Sequence, residues 1–205
     1  MTKTVPTGAG APVVLDLGPA AERVGELVGG ITDEHLALPT PCAKYQVREV
    51  IGHVIAVTAG LCDAGRKVPP VPPFPEPTHI VADLDGIGDW RTALTGLLRD
   101  LTAVWREPAA WEGMTQGAGF TFPAARAGSI ALTELVVHGW DLAVATGRPY
   151  RPGTADLELS LAILAETAAD RQPGGTFDPP VAVPADAPLL DRVIGLSGRD
   201  PSWTP

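Results

Sequence analysis

The sequence lacks the hallmarks of membrane-inserted, secreted and disulfide-stapled proteins. Its 205 residues include only two cysteines, Cys42 and Cys62, and no CxxC pair. Neither a disulfide framework nor a four-cysteine zinc site is therefore expected. No apolar run approaches the ~18 residues that a transmembrane helix needs. The N-terminus has no long apolar stretch followed by a small-residue cleavage site, as a secretory signal would have. These absences predict a reducing, cytoplasmic location.

Positive charge is scarce and scattered along the chain. Lys and Arg number 15 against 24 Asp and Glu, which gives a net charge of −9. Nucleic acids and anionic membranes bind concentrated positive surfaces, so neither is expected as a partner. A hydrophobic content of 45% is enough for a substantial core. We expect residues 1–14 to form a flexible arm and residues 15–205 to form a single domain.

Apolar residues recur at helical spacing in five long segments and one short one. They predict helices over residues 19–28, 47–65, 88–106, 124–146 and 155–170, with a short helix over residues 187–196. Residues 114–123, MTQGAGFTFP, are compatible with a short hairpin. The pattern predicts an all-α fold, an up-and-down helical bundle with one long crossover.

The stretch VPPVPPFPEP, residues 68–77, contains too much proline for a helix or a central strand. We interpret it as the extended crossover of the bundle. A ligand for a proline-reading domain is the alternative that the sequence leaves open.

The segment ELVVHGWDL, residues 134–142, places two polar side chains on an apolar helical stripe. Glu134 and His138 are four residues apart, so their side chains lie next to each other on one face. That face also carries Leu135 and Leu142, which indicates that it points into the core. A lone buried carboxylate is very unfavourable unless it is paired or bound to a metal. The two residues therefore need a common partner.

His53 is a candidate for that partner, because it lies in the apolar stripe of the second long helix. Two imidazoles and one carboxylate form a plausible divalent-metal site with an open coordination position. Two other interpretations stay open from the residues alone. His53 can be an ordinary hydrogen-bonded core histidine, and Glu134 with His138 can be a buried ion pair.

Several further residues have weaker patterns. Asp141 lies three residues after His138 and could orient its imidazole, or it could be a solvated residue that pairs with Arg148 or with nothing. Cys42 could lie near the site, although buried inert cysteines are commoner. Trp140 fits a core position better than a substrate contact. The remaining histidines, His35 and His79, fall in predicted loops and are interpreted as surface residues.

Two of these segments resemble a known family. TPCAKYQVREVIGHVIAV, residues 40–57, is similar to the second-helix signature of the DinB-like superfamily, T-P-C-x-x-W-x-V-R-x-L-x-x-H. ELVVHGWDLAVATGRP, residues 134–149, resembles the fourth-helix signature E-x-x-x-H-x-W-D-L-x-x-A-T-G. PADAPLLDRVIGLSGRDPSW, residues 184–203, resembles the C-terminal stretch of the same group. The group is the actinobacterial metal-binding branch related to the N-terminal domain of mycothiol-dependent maleylpyruvate isomerase.

The resemblance implies a DinB-like four-helix bundle with a long crossover and short additional C-terminal helices. It implies a divalent metal, zinc first and nickel as the alternative, held by His53, Glu134 and His138. It further implies activation of a low-molecular-weight thiol of the mycothiol type, for transfer to or isomerisation of a small electrophile. A non-catalytic metal-binding or small-molecule-binding module is the alternative, and a homodimer is one oligomeric state that fits the superfamily.

The sequence departs from the signatures in two respects. Tyr45 stands where the signature has Trp, which affects the packing of the loop rather than the ligands. The chain also leaves no room, as we interpret it, for the isomerase's separate C-terminal domain. Activity on maleylpyruvate is therefore not carried over.

Overall fold

The computed structural model describes residues 14–72 and 80–205 of the chain. The helices are α1 (Gly18–Gly29), α2 (Val47–Gly65), α3 (Leu84–Ile87), α4 (Trp90–Trp105), α5 (Ala124–Ala145), α6 (Thr154–Ala165) and α7 (Leu189–Leu196). Single 3-10 turns cover Asp33–His35, Pro108–Trp111 and Ala168–Asp170. Strands β1 (Met114–Gly117) and β2 (Phe120–Pro123) form a two-stranded sheet. The predicted all-α class is confirmed.

Helices α1, α2, α4 and α5 form a four-helix bundle. Helix α2 packs against α4 and α5, and α1 packs against the same two helices. The interior is filled by apolar residues of all four, such as Val24, Val50, Leu94 and Leu135. Helix α6 packs on α5, and α7 packs on α6. The bundle therefore carries the additional C-terminal helices on the outer side of α5.

The link from α2 to α4 is the predicted long crossover. Its prolines at residues 73–77 lie outside the described residues, so the conformation of that part stays a prediction. The returning chain lies against α2, where the Ala82 N–H donates to the Gly52 carbonyl at 3.0 Å. A Cβ at Gly52 would lie 2.4 Å from the Ala82 carbonyl oxygen. Glycine at this position allows the close approach of the two backbones.

Two of the helix boundaries that differ from those predicted have a clear local cause. Helix α4 begins at Trp90 rather than at residue 88, because Gly88 has a φ of +75° and the Asp89 carboxylate caps the helix by accepting from the Thr92 N–H. Helix α6 ends at Ala165 rather than near residue 170. There the Arg171 guanidinium donates to the Leu164 carbonyl at 2.6 Å and satisfies the end of the helix.

The hairpin predicted for residues 114–123 is present. Its turn residues, Ala118 and Gly119, both have positive φ, as a tight two-residue hairpin turn requires. The Thr115 hydroxyl donates to the Ala64 carbonyl at 2.6 Å and fixes the hairpin to the end of α2. The hairpin thus closes one end of the bundle.

The C-terminal segment packs on the body of the protein. The Val181 N–H donates to the Gly195 carbonyl at 2.9 Å, which ties the segment before α7 to the end of that helix. Trp203 packs against the core, as predicted. Among residues 14–72 and 80–205, no helix combines the length and the apolarity that crossing a membrane requires. The division into a 1–14 arm and a 15–205 domain stays a prediction, since residues 1–13 lie outside the described part.

Candidate metal centre

Helices α2 and α5 bring the three predicted ligands together. His53 lies on the face of α2 that packs against α5, and only 8% of its surface is exposed. His138 is 4% exposed, and the Glu134 side chain is 14% exposed. The helical periodicity therefore located all three on inward-facing stripes correctly. We call this set the His–Glu–His centre.

The ligand atoms of the His–Glu–His centre converge on one point. Glu134 Oε2 lies 3.3 Å from His53 Nε2 and 3.2 Å from His138 Nε2. The two imidazole rings meet edge to face, with 4.7 Å between their centroids. One atom from each residue lies within 4.8 Å of the other two, a spacing that a single metal ion can bridge.

Both imidazoles are held by their other ring nitrogen. His53 Nδ1 lies 2.8 Å from the Ile80 carbonyl oxygen, and His138 Nδ1 lies 2.9 Å from Asp141 Oδ2. Because both of these partners are acceptors, both Nδ1 atoms carry hydrogen and donate it. In neutral imidazoles the Nε2 lone pairs then point at the Glu134 carboxylate. Three electron-pair donors face one another, so a proton or a metal cation has to lie between them.

Asp141 links the centre to the C-terminal segment. It is fully buried, and its carboxylate accepts from Arg199 Nε at 3.0 Å and from Arg199 Nη2 at 2.9 Å. Arg199 is itself fixed by the Ser197 carbonyl. The interpretation of Asp141 as a solvated residue that pairs with Arg148 is wrong, because Arg148 instead donates to the Gly30 carbonyl. With neutral imidazoles, the two carboxylates and one guanidinium leave a net charge of −1, which favours a cation.

Mutual contacts outweigh burial in setting the protonation of these groups. Burial alone would raise the pKa of the Glu134 carboxyl, but the contacts with His138 and His53 hold that pKa well below its usual range. Burial would lower the pKa of His138, whereas the carboxylates of Asp141 and Glu134 raise it overall. Burial would raise the pKa of the Asp141 carboxyl, but the Arg199 guanidinium keeps this pKa below its usual value. Both carboxylates are therefore ionised near neutral pH.

A small cavity of about 60 Å³ opens onto the two histidines. Its remaining walls include Cys42, Lys44, Tyr45 and Arg199. Burial raises the pKa of the Cys42 thiol, although the Arg199 guanidinium opposes this effect. Cys42 is thus a neutral thiol near the centre, and it does not belong to the cluster of metal-ligating atoms found among the described residues.

The other sequence candidates lie outside the centre. Trp140 is 6% exposed and occupies a core position, in agreement with its interpretation as an anchor. His35 is half-buried, and its Nδ1 accepts from the Thr32 N–H at 3.0 Å at the start of a 3-10 turn. His79 lies outside the described residues, so its interpretation as a surface residue stays a prediction.

Sequence reasoning missed three contributors to the centre: the Ile80 carbonyl, the Tyr45 ring and Arg199. The Tyr45 ring lies 5.6 Å from the His53 ring, centroid to centroid. The sequence does contain a signal for Arg199, because this residue lies in GLSGRDPSW, part of the segment that resembles the C-terminal stretch of the family. The Ile80 carbonyl follows the proline-rich stretch, and no sequence pattern there indicates which backbone group contacts His53.

Comparison with known proteins identifies the family. The sequence profile of the mycothiol maleylpyruvate isomerase N-terminal domain matches residues 17–143, more than half of the chain. The chain belongs to this family. The match includes all three residues of the His–Glu–His centre and Asp141, and it ends before Arg199. The predicted DinB-like, mycothiol-related branch is confirmed.

Two relatives match most of the chain. The uncharacterized proteins MT0763 and Rv0738, from two strains of Mycobacterium tuberculosis, are each 25% identical over 188 residues. Each match covers 88% of this chain and 93% of the relative. Their names carry no activity, so they support membership of a family rather than a reaction.

Solved structures of the mycothiol-dependent maleylpyruvate isomerase share the fold. One crystal structure matches with a TM-score of 0.59 and 18% identity, over 91% of this chain and 88% of the isomerase chain. A histidine-to-alanine mutant matches with a TM-score of 0.55 and 15% identity, over 75% and 69% of the two chains. The first match spans most of both chains, so the expectation that this chain leaves no room for the isomerase's C-terminal domain is not supported. At such low identity, the likeness shows the fold alone.

The residues present fit the divalent metal that the family resemblance implies. Two imidazole nitrogens and one carboxylate oxygen would hold a divalent metal such as zinc or nickel, and three protein ligands would leave room for a further ligand. The fixed Nδ1 atoms direct both Nε2 lone pairs at the same point. This orientation by outer partners is typical of metal-binding histidines.

Proposed function

We propose that this protein is a divalent-metal-dependent enzyme that transfers a low-molecular-weight thiol of the mycothiol type to a small electrophile, or uses that thiol to isomerise the electrophile. The observation that carries the proposal is the convergence of three electron-pair donors, His53, Glu134 and His138, whose orientations are fixed from behind. Such a surplus of acceptors in a buried site favours a cation. Zinc is the first candidate for the metal, and nickel is the second.

When bound, the metal would stabilise the thiolate form of a thiol that reaches it through the cavity. The chain's own residues then act on that thiol. Lys44 lines the cavity and adds positive charge beside an incoming anion, while Arg199, which also lines it, balances the Asp141 carboxylate. The apolar helices that surround the centre strengthen these electrostatic interactions by excluding water. Asp141 keeps the His138 ring in the orientation that ligation requires.

A second candidate function is binding without turnover. It is favoured by the size of the cavity, because 60 Å³ is the space of about two water molecules. A thiol and an electrophile do not fit together in that volume without movement of the walls. A protein that binds a metal and one small thiol group would need no more room than this.

Metal analysis tests the centre itself. Protein purified without chelator is expected to carry close to one equivalent of divalent metal, and His138→Ala is expected to lose most of it. His35→Ala is the matched control, because His35 does not belong to the centre and should leave the metal content unchanged. A wild-type content below about a tenth of an equivalent, together with no effect of His138→Ala, would show that the three residues form a metal-free buried ion pair.

Activity measurements separate the enzyme from the binder. Zinc-loaded protein is assayed with mycothiol and other small thiols against a panel of electrophiles, in parallel with Glu134→Gln. Turnover that Glu134→Gln abolishes supports the enzyme. Tight thiol binding without turnover on any electrophile supports the binding module instead.

Location and assembly complete the proposal. We infer a cytoplasmic protein, which the two free cysteines support, since a reducing compartment keeps them unpaired. A homodimer is the assembly that the superfamily resemblance suggests. Light scattering of the purified protein tests this, and a mass near 21.3 kDa would identify a monomer instead.

A further inference from the structure

A second concentration of polar side chains lies where the C-terminal end of α5 meets α1. A pocket of about 470 Å³ is found there, lined by Arg23, Glu26, Leu27, Arg148, Pro149, Tyr150 and Arg151. Three arginines and one acid thus face a single pocket in a chain whose net charge is −9. A local excess of positive charge against the overall charge concentrates anions at that place.

Two of these arginines have donors left over. Arg23 pairs with the Asp156 carboxylate and Arg148 with the Gly30 carbonyl, each through Nη2. The Nε atoms of both arginines are buried, and neither has a hydrogen-bond partner among residues 14–72 and 80–205. Buried donors in folded proteins are nearly always satisfied. The contacts within the described residues therefore do not use these two guanidinium groups fully, and both side chains line the same pocket.

The position of Arg148 depends on a glycine. A Cβ at Gly30 would lie 2.1 Å from Arg148 Cζ, so any other residue would displace the guanidinium. Gly30 has a φ of −103°, which every residue adopts, so the requirement is for space rather than for backbone freedom. A Cβ at the neighbouring Gly29 would meet nothing within 4 Å. The two glycines thus form a matched pair for an experiment.

A third donor lies at the rim of the pocket. Arg151 is exposed, and no ion pair is recorded for it within the described ranges. The rear wall is fixed by Tyr150, whose hydroxyl donates to the Leu135 carbonyl at 3.0 Å. A rigid wall, two partly engaged guanidinium groups and one free guanidinium provide an arrangement that is ready for an anion.

We propose that this pocket binds the phosphoryl group of a small metabolite. A guanidinium group presents planar N–H donors that match the oxygens of a phosphate, and three such groups line this pocket. A volume of 470 Å³ exceeds the size of a phosphate alone and lies in the range of small-molecule sites. None of the lining residues belongs to the His–Glu–His centre, so this site is independent of the metal.

The test uses two probes, inorganic phosphate and glycerol 3-phosphate, at low ionic strength. Binding is followed by calorimetry and by the backbone amide signals of Arg148, Tyr150, Arg151 and Gly153. Wild-type protein is expected to bind glycerol 3-phosphate saturably, with shifts confined to the pocket. Arg151→Gln is expected to weaken binding by about tenfold, the loss of one charge-assisted contact. Arg99→Gln, an exposed arginine of α4, is the control and should bind as wild type does.

The glycine pair adds a second readout. Gly30→Ala displaces Arg148 and is expected to weaken binding by about tenfold or more, whereas Gly29→Ala should not change it. If inorganic phosphate binds as tightly as the ester, the free anion is the source of the phosphoryl chemistry. Failure of both probes to saturate, or equal binding by Arg151→Gln and Arg99→Gln, would overturn the proposal. Since Arg151 is exposed, its substitution tests the site even if Gly30→Ala does not fold.

Discussion

The two ends of helix α2 bury polar groups in opposite ways. At its C-terminal end lies a tryptophan cluster, formed by Trp105 and Trp111, whose rings meet edge to face at 5.0 Å. The Trp105 indole N–H donates to the Leu61 carbonyl at 3.2 Å, and the Trp111 indole N–H donates to the Trp105 carbonyl at 2.7 Å. Each indole donor in this cluster therefore has one acceptor.

The other half of α2 presents the His–Glu–His centre, where acceptors outnumber donors. The Nδ1 atoms of both imidazoles are already used, so their Nε2 atoms and the Glu134 carboxylate compete for the same proton or cation. A balanced set of partners, as in the tryptophan cluster, stabilises the fold and needs nothing from solution. A surplus of acceptors, as in the His–Glu–His centre, needs an additional ion. This difference distinguishes a region that only stabilises the fold from a region that can bind an ion.

Breaking the charge balance behind the centre should have the largest effect. Asp141→Asn leaves the buried Arg199 guanidinium without its carboxylate, and we expect the free energy of unfolding to fall by about 3–5 kcal/mol. Urea denaturation of the metal-free protein measures this. Asp85→Asn is the control, because the Asp85 side chain is 84% exposed and pairs with Arg48 at the surface. Its effect should stay within about 0.5 kcal/mol, and an equal loss in both variants would contradict the prediction.

Overfilling the tryptophan cluster should cost less and leave metal binding unchanged. A Cβ at Gly128 would lie 2.5 Å from the Trp111 ring, so Gly128→Ala is expected to lower the free energy of unfolding by about 1–3 kcal/mol. Gly96→Ala on α4 meets nothing within 4 Å and should be neutral or stabilising. Metal content is measured on the same samples. Loss of metal in Gly128→Ala would show that the tryptophan cluster and the His–Glu–His centre are coupled.

Acidification should weaken metal binding, whereas the tryptophan cluster has no group that titrates near neutral pH. The carboxylates of Asp141 and Glu134 raise the pKa of His138, and below that pKa a proton occupies the nitrogen that the metal needs. Affinity for zinc is expected to fall about tenfold per pH unit there, as measured by competition with a chelator. His35→Gln should show the same slope as wild type. A flat profile between pH 5.5 and 8 would contradict ligation by His138.

The metal-free protein should respond to pH in the opposite direction. Because the folded pKa of His138 is raised, its contribution to stability is complete below the unfolded value near 6.5 and is lost as the pH rises through the folded value. Stability of the metal-free protein therefore falls with rising pH over the range where metal affinity increases. Comparing urea midpoints with and without zinc across this range checks both trends.

The smallest effect is expected at Cys62, beside the tryptophan cluster. Burial raises the pKa of its thiol from 9.0 to about 11. Between these two pH values the thiol is therefore ionised in the unfolded protein and still neutral in the folded protein. The wild-type protein should therefore lose stability between pH 9 and 11 relative to Cys62→Ala. Urea midpoints of the two proteins at pH 8, 9.5 and 11 measure this. A constant difference across the three pH values would contradict the raised pKa.

Sequence periodicity was sufficient to place His53, Glu134 and His138 on inward-facing helix surfaces. All three lie on long helices whose apolar stripes reveal which face is buried. Asp141 could be located on the same helix, but its partner could not. Arg199 comes from an irregular loop 58 residues further along the chain, where no periodic pattern indicates orientation.

Helix boundaries depended on local contacts that spacing does not encode. The apolar pattern continues beyond Ala165, yet α6 ends there because the Arg171 side chain satisfies the Leu164 carbonyl. Similarly, Gly88 has a positive φ that starts α4 two residues later than the pattern predicts. The pocket lined by Arg23, Arg148 and Arg151 was not predicted at all. These residues lie on α1 and in the segment after α5, and only the fold brings them together.

The contact between Asp141 and Arg199 also has a consequence for synthesis. A ribosome makes the chain from its N-terminus, so all three residues of the His–Glu–His centre and Asp141 are translated before Arg199, which follows Asp141 by 58 residues. Until Arg199 leaves the exit tunnel, the nascent bundle holds two carboxylates with no guanidinium to oppose them. The segment that carries Arg199 therefore emerges after the helices of the centre, and it completes the electrostatics of the interior.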